Sequence, residues 1–114
     1  METVTGIELR HLLLVLLLDG RRPTSVAELV RAVDAAGFQL CGRAGKSISD
    51  ALRWEVRRGR VLRVGRGRYV IGRVARSTEY DIRRRVVHLQ AHGVGSWYRD
   101  VVDGSPPPVR FPSG

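Results

Sequence analysis

The stretch from Ile48 to Ile71, ISDALRWEVRRGRVLRVGRGRYVI, contains the change of period that decides the fold. Its first part repeats at helical spacing. At about 100° per residue, Ile48, Ala51, Leu52 and Val56 share one side, and Lys46, Asp50, Arg53, Trp54 and Arg57 share the other. Glu55 falls among the apolar residues, which calls for an arginine partner. The spacing predicts a helix that begins at Ser47, with Asp50 in the capping-box position, and stops at Gly59. Beyond it, Val61–Val64 and Arg68–Ile71 are short β-prone runs joined by Gly65-Arg66-Gly67. That is a hairpin with a three-residue loop, and Arg63, Arg66 and Arg68 crowd its tip.

Upstream, Ser25-Val26-Ala27-Glu28 has the form of a capping box, in which serine caps a free amide and glutamate reaches back. Val26, Leu29, Val30 and Val33 then make a stripe, and Gly37 suits a helix end. A polar, glycine-containing connector is expected from Phe38 to Gly45. An earlier helix should run from about Ile7 to Leu18 and stop at Asp19-Gly20. Its second half is apolar on every side, so it needs cover on every side. Downstream, a helix should start near Thr78, with Thr78 and Asp81 as a second box, and end at Gly93. It carries the stripe Ile82, Val86 and Leu89 beside Arg83, Arg84 and Arg85. Trp97 and Tyr98 are expected to pack back onto the body, and Asp103 to Gly114 to form an extended Pro-rich tail.

Three helices followed by a two-stranded hairpin is the element order of a winged helix-turn-helix domain. The quoted stretch resembles the recognition helix and wing of bacterial members of that family. The resemblance rests on Ile48-Ser49 at the helix start, Ala51-Leu52 mid-helix, Gly59, the strand Val61 to Val64, the tip Gly65-Arg66-Gly67 and Tyr69 on the return strand. It covers roughly residues 7 to 73. The departures are Glu55, where an apolar residue is usual, and a connector of about eight residues before the third helix. The fold it implies is α+β: a winged helix-turn-helix over 1–76, an added C-terminal helix with an aromatic segment over 77–102, and a tail over 103–114.

Charge points the same way. The chain of 114 residues carries 20 basic and 11 acidic residues, a formal net charge of +9, and 19 of the basic residues are arginine. Residues 1–42 sum to −1 and residues 86–114 to zero, whereas residues 43–85 sum to +10. A basic middle between neutral ends implies a face that meets polyanions, and guanidinium forks onto phosphate or guanine edges as ammonium does not. The lone Cys41 has no intrachain partner for a disulfide, and the seven apolar residues Leu12–Leu18 fall far short of a span of ~20. Glu2 and Glu8 before that run speak against a secretory signal. The expected place of the protein is therefore the cytoplasm, associated with the nucleoid.

The expected DNA contacts follow from the helix and hairpin. Lys46, Ser49, Arg53 and Arg57 would face a major groove. Arg43 precedes them, and Ser47 with its amides would hold a DNA phosphate at the helix start. Arg63, Arg66 and Arg68 on the wing would reach either a minor groove or the phosphates. Trp54 would either stack on a sugar or base or pack laterally against the wing or last helix. Gly42-Arg43-Ala44-Gly45-Lys46-Ser47 ends like a phosphate loop, but the required first glycine is Leu40. His88 and His92, four apart, lack further ligands at metal spacing, and Cys41 has no evident activating base.

These observations make the chain a double-stranded DNA-binding protein acting by occupancy in transcription regulation or DNA organisation, not an enzyme, with no cofactor and no metal. A second copy of the chain is expected to cover the leucine-rich first helix through the last one, giving a homodimer. The alternative is a winged-helix protein-interaction or antitoxin-like module with a protein partner.

Overall fold

The leucines between residues 12 and 18 organise the packing. The computed structural model describes residues 1–96 and places them in α1 (Gly6–Gly20). Leu12, Leu13, Leu14 and Leu17 are fully buried there. Their cover comes from within the chain: α2 (Val26–Ala35), α3 (Ala44–Arg57), β5 (Arg68–Ile71) and α4 (Arg76–His92) all pack on α1. Ile82, Val86 and Leu89 of α4 belong to the same core as Leu29, Val33, Ile48 and Leu52. The second copy expected to cover α1 is therefore not needed, because α4 fills that place, and the core runs across the expected boundary at residue 76 without a break. An ion pair from Arg83 to Asp19 at 2.9 Å also ties α4 to the end of α1.

Among the described residues the architecture is α+β, with four helices and a small antiparallel sheet. The sheet has three strands in the order β2 (Thr24–Ser25), β5, β4 (Val61–Gly65). The hairpin β4–β5 forms as the sequence predicts, with an irregularity between Arg63 and Gly65 and with Gly67 at φ +65, a conformation that favours glycine. Its base closes by Gly72 N–H donating to the Arg60 carbonyl at 2.7 Å. A Cβ at Gly72 would lie 2.4 Å from the Gly59 carbonyl oxygen, so only glycine permits this approach.

Two expectations about loops are corrected. Thr24 and Ser25, expected only as a turn and cap, pair with Tyr69 and Arg68 as the third strand. The expected connector contains β3 (Phe38–Leu40), which pairs in parallel with β1 (Glu2–Val4). Val4 and Phe38 are both buried, so apolar burial holds this short ladder in place.

The helix starts divide into one success and two corrections. Ser25 caps α2 with both arms of the box: Glu28 N–H donates to Ser25 Oγ at 3.1 Å, and Ser25 N–H donates to Glu28 Oε2 at 2.8 Å. The same backbone donation holds the Glu28 carboxyl below its ordinary pKa. The helix expected from Ser47 begins three residues earlier, after Arg43, and has no side-chain cap. Asp50 pairs with Lys46 at 2.7 Å and does not act as a box partner. The last helix likewise starts at Arg76 after Ala75, with no box from Thr78 and Asp81. Trp97, Tyr98 and the 103–114 tail lie outside the described residues.

Candidate nucleic-acid interface

The two faces of α3 separate sharply. Ile48, Ala51, Leu52 and Glu55 are buried against the core. Lys46, Arg53, Trp54 and Arg57 are exposed, and Ser49 and Asp50 are half-buried at the border. The outward arc thus keeps the Lys46, Ser49, Arg53 and Arg57 combination expected from the spacing. Arg53 and Arg57, one turn apart, stand free of any carboxylate salt bridge in the described residues. Lys46 does not: it donates to Asp50, which sits well below the usual carboxylate range because of that bond. The pair leaves the arc's first cation partly neutralised.

The apolar side needs one correction. Val56, expected in the stripe, is 37% exposed, and Glu55 occupies the middle of the buried face at 0%. The arginine partner that Glu55 calls for exists. Arg60 grips it with a fork, Nε to Oε2 at 2.6 Å and Nη2 to Oε1 at 2.9 Å. Arg10 of α1 stands at 3.8 Å from Oε1. Two cations around one buried carboxylate offset the cost of taking it out of water. Arg10 also lies over the Trp54 ring, 5.4 Å from its centroid. Trp54 is therefore 54% exposed and topped by α1, not packed on the hairpin or α4. Arg10, Glu55 and Arg60 together orient α3 against α1 and the start of β4, so they position the outward arc. The residue types alone carried a signal for this only at Glu55.

At the start of α3, Arg43 is exposed as expected, but Ser47 is not available to a phosphate. Its hydroxyl donates to the Cys41 carbonyl and its N–H donates to the Arg43 carbonyl at 3.0 Å. The early start of the helix has consumed both donors.

The hairpin presents Arg63, Arg66 and Arg68, all exposed. Arg63 Nε reaches back to the Gly65 carbonyl at 3.4 Å. The Gly67 carbonyl accepts from Val26 N–H at 3.2 Å, which anchors the tip to the first residue of α2. The arginine-bearing hairpin is thus braced by β2 and α2. Leu62 and Val64 on β4 are also about half exposed.

Elsewhere, His88 is buried and its ring centroid lies 4.5 Å from that of His92. Among the described residues no group of three or more His, Cys, Asp or Glu side chains is placed to hold a metal ion. Cys41 is exposed. No helix among the described residues is long and apolar enough to cross a membrane. Comparison of the chain with protein-family models, curated proteins and solved structures finds no match in any of the three.

Proposed function

We propose that this chain is a winged-helix domain that binds double-stranded DNA, with α3 as the recognition helix and the β4–β5 hairpin as the wing. The observation that carries this reading is the division of α3 into a buried face and an outward arc bearing Ser49, Arg53 and Arg57. Arginine on a solvent-facing helix, beside a small residue that permits close approach, suits guanine edges in a major groove. The order α1, β2, α2, α3, β4, β5, with β2 paired to β5, supports the same reading. So does the +10 charge of residues 43–85. Arg43 and Lys46 would contact phosphates near the helix start, and Arg63, Arg66 and Arg68 would lie on the backbone or in a minor groove. Binding by occupancy needs no cofactor and no catalytic step, and a nucleoid-associated regulator is the role it fits.

A second reading, a winged-helix module docking a protein, is favoured by one observation: Leu62 and Val64, side by side on one face of β4, are half exposed. Titration of the purified chain with mixed-sequence duplex over a salt series separates the two. DNA binding through several arginines gives an affinity that falls steeply with salt, whereas docking through Leu62 and Val64 gives none for duplex. Absence of duplex binding at low salt would overturn the proposal.

A further inference from the structure

A crevice of about 250 Å³ opens between α1, the chain that follows α3, and the first half of α4. Four guanidinium-bearing residues line it: Arg10 from α1, Arg58 and Arg60 from either side of Gly59, and Arg85 from α4. The facing acids are fewer. Glu55 is buried behind Arg60 and Arg10, and Asp81 of α4 is on the rim. Four cations against two carboxylates leave this concavity with a surplus of two positive charges. Thr78, in the first turn of α4, adds a hydroxyl and the positive end of a helix dipole. The floor is His11, which is 7% exposed.

We propose that this crevice is a phosphate-binding site, distinct from the outward arc of α3 and taking one phosphate group. Guanidinium groups converge there from three segments of the chain, the arrangement that planar forked donors need to grip a tetrahedral oxyanion. The volume fits a phosphate with a short organic stem. It lies below the roughly 300–1,000 Å³ of sites that enclose larger organic ligands. The charge surplus is also felt by a reporter inside the crevice. Burial first, and then Arg85, Arg60 and Arg10, lower the His11 pKa to about 4. An anion in the crevice would neutralise that field, so its binding and the protonation of His11 are linked. The phosphate can come from a free phosphate compound or from one backbone phosphate of a duplex.

The test follows the His11 imidazole by NMR in the whole chain while inorganic phosphate, and separately a short duplex, is titrated in. Saturation should raise the His11 pKa by about one unit or more. Arg58→Gln and Arg85→Gln should each weaken the response about tenfold or more, because each removes a direct charge-assisted hydrogen bond to the anion. Arg31→Gln removes equal charge from the exposed face of α2 and should leave the response unchanged. Thermal unfolding of each variant checks that it is folded. A response to phosphate assigns a free phosphate compound as the ligand, and a response to duplex alone assigns a backbone phosphate. A His11 resonance unmoved by either, or one weakened as much by Arg31→Gln, overturns the proposal. Loss of duplex binding with the phosphate response intact would count against the DNA reading and leave this site standing.

Discussion

His11 and Glu55 are the two residues whose burial asks for a physical explanation, and they answer it differently. Glu55 stays charged because Arg60 and Arg10 surround it. Removing one partner of a buried pair typically costs about 3–5 kcal/mol, since the other charge is left stranded. Arg60→Ala should therefore destabilise the domain by roughly 3 kcal/mol in urea unfolding, with Arg10 softening the effect. His11 instead stays neutral. Its folded pKa is near 4, below the ordinary 6.5, so the unfolded chain takes up a proton that the folded chain refuses. Stability is then undiminished above pH 6.5, falls as pH drops from 6.5 towards 4, and levels off below. The decrease should be on the order of 2 kcal/mol, and His11→Gln should flatten that part of the pH profile.

At the scale of elements, α3 and the hairpin carry the proposed DNA-facing side chains, and each makes a separable expectation. Arg53→Ala and Arg57→Ala remove outward side chains without touching the core, so the fold should survive and duplex affinity should drop. Deleting a side chain that reads a base should cost ~1–3 kcal/mol and relax preference at one position. Both variants binding as the parent would remove α3 from the groove. The double variant of Arg66 and Arg68 to Ala should weaken all sequences evenly. It should also lower the slope of log affinity against log salt by about one for each phosphate that the wing no longer neutralises. The start of α2 rests on the Ser25 box, and Ser25→Ala should cost about 1 kcal/mol in thermal or urea unfolding. An unchanged midpoint would mean that pairing of β2 with β5 alone holds that start.

Over the whole molecule, the cover of α1 by α4 decides the state of association. The apolar faces of the two helices meet within one chain, so light scattering should report a mass near 12.7 kDa, not twice that value. Val86 is 4% exposed between those helices, and Val86→Asp would bury an unpaired carboxylate. It should unfold the domain, at a cost of several kcal/mol, and should not merely separate two copies. A parent mass near twice 12.7 kDa that Val86→Asp reduces to a folded monomer would show that α4 exchanges between chains.

What was legible in the sequence was local. The Ser25 box, the apolar side of α3, its outward arginines and the Gly65-Arg66-Gly67 hairpin all follow from side-chain periodicity and turn chemistry acting over a few residues. The Glu55 misfit was legible as a misfit. What only the tertiary structure decided was long-range: the pairing of Glu2–Val4 with Phe38–Leu40, the third strand at Thr24–Ser25, the partner of α1 and the crevice around His11. Strands of two or three residues show no alternation to read, and they exist because burial and a neighbouring edge hold them. A helix apolar on all sides states that it needs cover but not which element supplies it. Arginines far apart in the chain reveal a shared concavity only after α1, α3 and α4 have packed.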